Sequence, residues 1–258
     1  MLLDLVIVGG GASGFMGAIT AIKSGLRSVV ILEASSKVLE KVRISGGGRC
    51  NLTNSCWEIS DLVNNYPRGE KQLISLFNRF STIDAFDWFQ KKGLSLKIEK
   101  DGRVFPSSDS SEEVIKCLTA AAKKSGVKVF TNSHVKKIIM QKNGFNLFVK
   151  GNNCFEAKNI LICTGGHPSG RRLAKNLGHT IIHPVPSLFS LSTSENLLHS
   201  CSGISLDVQL KLTVNKKKYS EKGTILITHK GFSGPVVLRL SAFSARDLHS
   251  NNYHGELK

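Results

Sequence analysis

Six residues near the N-terminus, Gly9-Gly10-Gly11-Ala12-Ser13-Gly14, carry the spacing G-x-G-x-x-G. Glycine at the first of these positions permits a tight turn out of a strand. At the second it lets the backbone approach a pyrophosphate, and at the third it lets a helix pack closely on the sheet. The helix N-terminus that follows offers free N–H groups and a partial positive charge to phosphates. Ala18, four residues beyond Gly14, keeps the same helix face small. Glu33 lies 24 residues beyond Gly9. A carboxylate there accepts both ribose hydroxyls of an adenosine and repels a 2′-phosphate. Strand, glycines, helix, strand and acid in this order point to a dinucleotide site rather than to a glycine-rich turn beside an exposed acid.

A second glycine run, Ser45-Gly46-Gly47-Gly48, can present successive backbone N–H groups to an anion. Arg49 adds a positive charge able to face a pyrophosphate or a flavin ring edge. Thr164-Gly165-Gly166 follows an apolar run and allows a close turn past a dinucleotide. Two residues are candidates for catalysis. His229 could act as acid or base, the usual catalytic use of an imidazole, although such a histidine more often only bonds a loop. Cys50, spaced C-x5-C from Cys56, could form a redox pair, with a packed small side chain as its plainer role. The cysteines and histidines show no ligand spacing, so no metal site is expected.

The elements that must position these residues follow from hydropathy and turn signals. Leu3–Val8 and Ser28–Leu32 read as buried parallel strands around a helix from Ser13 to Ser24. Residues 37–54 read as a loop. Helices are expected near 70–80, 83–92 and 111–125, and Asp101-Gly102 reads as a tight hairpin between strands 94–99 and 103–105. After a strand at 127–132, three short strands at 135–140, 145–150 and 154–157 replace the crossover helix of a plain NAD-binding fold. Such a meander is typical of FAD-binding variants. A further strand at 159–163 and a short helix at 171–177 complete this part. Beyond Pro184-Val185-Pro186 the reading is a strand at 206–214, a turn at 215–218, a strand at 224–228, and a helix at 234–248 reached by a loop from Thr228.

Several motifs occur in order: Ile44-Ser-Gly-Gly-Gly-Arg-Cys-Asn-Leu-Thr-Asn54, Gly102-Arg-Val-Phe-Pro106, Gly178-His179, Pro186-Ser-Leu188 and Thr228-His-Lys-Gly-Phe-Ser-Gly-Pro235. With Gly9–Gly14 and Thr164–Gly166 they resemble the BaiN/YhiN-like flavoproteins, the aminoacetone oxidase family of NAD(P)/FAD-dependent oxidoreductases. The resemblance runs along the whole chain. It implies an α/β fold: a glutathione-reductase-type, Rossmann-like FAD domain over residues 1–190, then an inserted, mainly β domain beginning at 191–258. It implies FAD as cofactor, its ADP half held by Gly9, Gly10, Gly11, Ala12, Ser13, Gly14 and Glu33. Lys41, Ser45, Gly46, Gly47, Gly48, Arg49, Cys50 and Asn51 would line the pyrophosphate and flavin side. Val135 would face adenine, and Thr164, Gly165 and Gly166 would close the site. The chain stops before the family's returning C-terminal segment, so the insert is expected to be incomplete. It also lacks the longer glycine-rich stretch after T-G-G, where His167-Pro-Ser-Gly170 leads straight to Arg171-Arg172.

The 258 residues are 41% hydrophobic, with 24 Gly and 6 Pro, enough for a sizeable core and unlike a disordered chain. No apolar run is long enough to span a membrane, and the opening run has no basic flank of a signal peptide, so a cytoplasmic location is expected. Net charge is +16. Its basic residues are dispersed, and runs such as Lys216-Lys217-Lys218 are short, which argues against a nucleic-acid partner. The expected reaction is FAD-dependent oxidation or reduction of a small molecule, with NADH or NADPH as candidate electron donor. The alternatives are an RNA-acting flavoprotein of the tRNA-modifying kind, or a fragment without turnover.

Overall fold

The computed structural model describes residues 2–151, 153–193 and 199–258. Asn152, part of an expected turn, lies outside them. The chain divides into two compact units, Met1–Ile181 and Ile182–Lys258.

The first unit is built on a six-stranded sheet. β1 (Leu3–Val8) pairs in parallel with β2 (Val29–Leu32) on one side and with β9 (Cys154–Ile162) on the other; β6 (Lys128–Phe130) extends the β2 side. The antiparallel strands β7 (Val135–Gln141) and β8 (Gly144–Val149) complete the order β6-β2-β1-β9-β8-β7. Alternation along β1 and β2 sorts their side chains to two faces. Leu5, Ile7, Val29 and Ile31 join one core with α1 (Ala12–Lys23) and α6 (Ser111–Lys124). Val6, Val8, Val30 and Leu32 join the other with Val135, Ile138, Leu147 and with Leu173 of α7 (Pro168–Asn176). Both faces of these strands are therefore covered, which accounts for their nearly continuous apolar sequences.

Between β2 and β6 the chain makes α2 (Glu40–Ile44), a 3₁₀ turn at Ser45–Gly48, β3 (Thr53–Asn54), α3 (Ile59–Val63), α4 (Glu70–Phe77) and α5 (Thr82–Lys91). The hairpin of β4 (Leu96–Ile98) and β5 (Arg103–Pro106) then precedes α6, and β3 adds to its β5 edge. The Ser81–Asp84 capping box starts α5, with Asp84 accepting the Ser81 N–H at 2.7 Å.

The differences from the sequence reading have physical causes. The loop expected at 37–54 contains α2, because Glu40, Lys41 and Arg43 favour a helical turn. The strands expected at 154–157 and 159–163 are one strand, β9. Its central Lys158 stays extended and bonds Asp4 Oδ1 at 2.9 Å, while Asn159 donates to the Asp4 carbonyl at 3.1 Å. The strand expected at 224–228 runs instead from Lys217 to Thr228, and the turn expected at 215–218 shrinks to Asn215-Lys216, because pairing with the preceding strand over Ser205–Val214 holds these residues extended.

The second unit is a five-stranded antiparallel sheet packed on one helix, in the order β10 (Leu191–Ser192), β13 (Gly231–Ser233), β12 (Lys217–Thr228), β11 (Ser205–Val214), β14 (Glu256–Leu257). Asn215 and Lys216 both have positive φ, 48° and 68°, so a two-residue turn of the primed type joins β11 to β12. That turn matches strand twist and lets ten residue pairs form. Helix α8 (Pro235–Ser250) packs Val236, Val237, Leu240 and Leu248 against Leu210, Leu212, Val214 and Ile225. The expected loop from Thr228 to Pro235 is instead a hairpin turn followed by β13.

Candidate dinucleotide site

The carboxyl ends of β1, β2 and β9 converge where the sheet order reverses, the place where open α/β sheets bind ligands. Gly9, φ +116°, leaves β1 there, and its N–H bonds the Leu32 carbonyl at 2.9 Å. A Cβ on Gly9 would overlap the Cys163 carbonyl oxygen, and one on Gly14 would overlap the Gly9 carbonyl oxygen. Both glycines are therefore needed by the protein itself. Gly17 extends the close approach, with a Cβ there only 2.8 Å from Leu161 Cδ2. Gly11 differs: nothing lies within 4 Å of where its Cβ would sit. Gly11 caps α1 with no side-chain hydrogen bond, and the first turn carries no acid. Ala12 and Ser13 are exposed. Burial pushes the Cys163 thiol's pKa up.

Glu33 braces this turn. Its Oε2 accepts from Gly10 N–H at 2.7 Å, and its Oε1 accepts from the Ser35 N–H at 2.8 Å and hydroxyl at 2.9 Å. The Glu33 carbonyl accepts from Ser133 N–H at 2.7 Å, which brings the segment ahead of buried Val135 to the same edge. Leu39, buried and left-handed at φ 59°, donates to the Gly10 carbonyl at 2.8 Å. The chain between Glu33 and α2 thereby wraps the glycine turn and delivers Lys41, whose Nζ lies 3.6 Å from where a Cβ on Gly165 would sit. Thr164 is held by Gly170 of α7, where a Cβ would overlap the threonine hydroxyl, and by His167 N–H on the Thr164 carbonyl at 3.2 Å.

The second glycine loop lies beside this arrangement. Gly46, Gly47 and Gly48 have φ of 57°, 70° and 88°, and Cys50 follows at 62°. A Cβ on Gly46 would stand 2.8 Å from Asn51 N and 3.0 Å from Phe105 Cε1, whereas Gly47 and Gly48 face open space. Cys50 is buried in the same core as Phe15 and Val42, and burial raises its thiol pKa. Arg49 turns to the protein: its guanidinium sits 4.0 Å over the Phe105 ring and donates to Glu99 at 2.7 Å, with Asp109 at 3.4 Å. Its pKa is raised by the Glu99 hydrogen bond.

The structure thus brings Gly9–Gly14, Glu33, Lys41, the approach to Val135 and Thr164–Gly166 to one sheet edge, with Ser45–Asn51 next along the chain from Lys41. His229 belongs to the chain's second unit, where it is exposed on the β12–β13 turn. Cys50 and Cys56 are both free thiols. Sequence reasoning missed Ser35 and Leu39. Ser35 follows Glu33 at a spacing that suits a carboxylate–backbone turn, but nothing in a leucine's chemistry signals a left-handed backbone. Among the described residues no His/Cys/Asp/Glu group could hold a metal, and no helix is long and apolar enough to cross a membrane.

The model of the HI0933-like protein Rossmann domain matches residues 3–231. The chain belongs to that family. Its curated relatives include a 3-dehydro-bile acid delta(4,6)-reductase from Clostridium scindens, 29% identical over 94% of this chain and 61% of the relative. Another is a ribosomal RNA dihydrouridine synthase from Haemophilus influenzae, 28% identical over 92% of this chain and 61% of the relative. The chain therefore spans about three-fifths of these relatives' length. Among solved structures, the open conformation of a flavocytochrome c3 fumarate reductase superposes with a TM-score of 0.59 at 20% identity, covering 80% of this chain and 47% of that one. The first unit is an FAD-binding Rossmann-type domain of the kind found in FAD-dependent oxidoreductases.

Proposed function

We propose that residues 1–190 hold FAD at the carboxyl ends of β1, β2 and β9, and that 191–258 belong to a second domain serving the substrate. The supporting observation is the open space at Gly11, where no side chain caps α1 and its first turn carries no acid, with Glu33 bonded to the adjacent Gly10 and Lys41 beside Gly165. A pyrophosphate fits there on the α1 N–H groups, with the Lys41 ammonium as counter-charge. Glu33 has oxygen lone pairs left for ribose hydroxyls after bracing Gly10 and Ser35. Gly47 and Gly48 leave backbone open toward the flavin side, while Arg49, already paired, sets the shape of that loop.

Bound FAD supplies two-electron transfer. The names of the relatives narrow the reaction. A bile-acid 4,6-diene next to an oxo group and the uracil double bond are both carbon–carbon double bonds conjugated with a carbonyl. We therefore infer reduction of such a conjugated double bond, in which hydride is added at the carbon remote from the carbonyl and a proton at the neighbouring carbon. Two substrate readings follow, a small unsaturated carbonyl compound or a uridine in RNA. The ribosomal RNA relative supports the second and weighs against the expectation that nucleic acid is no partner.

The test begins with FAD titration of the purified chain, read by quenching of flavin fluorescence. The reduced, FAD-loaded protein is then mixed anaerobically with a 4-en-3-oxo steroid, with uridine-containing RNA, or with the saturated ketone. Reoxidation by an unsaturated substrate but not by the saturated ketone is the expected result. Absence of FAD binding, or equal rates with the saturated ketone, overturns the reading.

A further inference from the structure

The outward face of the second unit's sheet carries charge that cofactor binding does not use. Alternation along β11 sends Leu210, Leu212 and Val214 to the α8 core and Gln209, Lys211 and Thr213 to the opposite face. The register sets Lys222 opposite Gln209, Ser220 opposite Lys211, and Lys218 opposite Thr213. Lys211 thus sits midway between Lys218 and Lys222 on the neighbouring strand, which are about 13 Å apart at strand spacing. Lys258 joins them through backbone bonds to Lys211, 2.8 Å in each direction. All four lysines are exposed.

Among the described residues, the acids of this unit are each held by a partner, and two of them, Asp207 and Glu256, stand on the lysine face, Glu256 opposite Thr213. Glu221 pairs with Arg239 at 3.1 Å, Asp247 with Lys217 at 2.8 Å, and Glu256 with Lys258 at 2.9 Å. Asp207 accepts from the Thr224 hydroxyl at 2.7 Å toward the far end of the face. Among the described residues, Lys211, Lys218 and Lys222 have no carboxylate within ion-pair distance. Between them lie neutral donors, Gln209 bonded to Ser220 at 3.2 Å, and a shallow depression of about 440 Å³ at Asp207–Gln209, Lys222 and Gly223. Among the described residues no aromatic ring stands on this face to stack a base. Such a surface fits a phosphate backbone and reads no bases.

We propose that this lysine face binds the phosphate backbone of an RNA strand and so holds an RNA substrate. The proposal rests on the uridine-in-RNA reading above. Charge complementarity commits the face to a polyanion, and the relatives named for ribosomal RNA choose RNA among polyanions.

The test is fluorescence anisotropy of a labelled ribosomal RNA hairpin titrated with the full 258-residue chain, at salt from about 50 to 200 mM. The triple variant K211Q/K218Q/K222Q is compared with K123Q/K124Q/K128Q, which removes equal charge from exposed lysines of the first unit. Loss of about tenfold or more in affinity, with the salt slope reduced by about two, is expected for the first triple only. Equal losses from both triples, no RNA binding by the parent chain, or equally tight binding of polyglutamate overturn the proposal. FAD titration of the same samples separates the two readings. Intact FAD binding without RNA binding overturns the RNA face alone, and RNA binding without FAD binding overturns the cofactor site alone.

Discussion

Glycines that look alike in the motif have different duties, and this difference can be measured. Gly14 faces the Gly9 carbonyl, so Gly14→Ala forces α1 away from the sheet, whereas Gly11 faces open space. We expect Gly14→Ala to destabilise the first unit by about 2 kcal/mol or more through overpacking. Gly11→Ala should cost under about 1 kcal/mol yet weaken FAD binding at least tenfold, because its methyl fills the cradle. Thermal melts and FAD titration of both variants check this. A Gly11→Ala protein that binds FAD normally would remove the pyrophosphate from that place. Asp4 offers a second residue-scale test. Hydrogen bonds from Lys158, then from Arg27 N–H and Ser28, hold its carboxyl far below the usual range. A depressed folded value means that the contribution to stability is present above the unfolded value near 4 and is lost as pH falls below it. Asp4→Asn should therefore lower the melting temperature at pH 7, and the gap should close toward pH 2. A gap that stays constant with pH would contradict the Lys158–Asp4 linkage.

At the scale of elements, legibility followed local chemistry. β1, α1, β2 and the Asp101-Gly102 hairpin were readable because apolar runs, glycine stops and a turn dipeptide all act within a few residues. The meander was readable from its turn residues. What failed was governed by distant partners. β9 reads as two strands because Lys158 and Asn159 interrupt the apolar pattern, and only Asp4, more than 150 residues away, explains why they stay extended. The length of β12 depends on pairing across β11, and its Lys218-to-Lys222 stretch looks like a loop by composition. Within the site, Gly9–Gly14 and Glu33 stood out as a spacing. The engagement of Arg49 by Glu99 and Asp109 did not, because ion pairing across 50 and 60 residues leaves no local signal. Tyr219 of β12 yields a prediction at this scale. Burial, then its hydrogen bond to Asp247, pushes its phenol up to about 12. A raised folded value means that the contribution is complete below the unfolded value near 10 and is lost as pH rises toward 12. Absorbance titration of the three tyrosines should show one late phase, absent in Tyr219→Phe. Loss of that phase in a variant elsewhere, with Tyr219 intact, would misplace it.

For the molecule as a whole, two compact units with separate cores predict separate responses to a ligand. FAD bound to the folded first unit alone adds stability by mass action, about 2.7 kcal/mol at a hundred times its dissociation constant. That increment belongs to the amides whose opening disrupts the site. Hydrogen exchange with and without FAD should slow at residues 9–15, 33–51 and 163–167, where the turn, the wrapping segment and the second glycine loop meet the cofactor. The β11–β12 hairpin has its own core with α8, so its exchange should change by less than twofold when FAD is added. RNA should give the reverse pattern, slowing the hairpin while leaving residues 9–15 unchanged. Protection by FAD spread equally over both units would mean that they respond as one cooperative body, and the division at Ile181 would then describe geometry without describing stability.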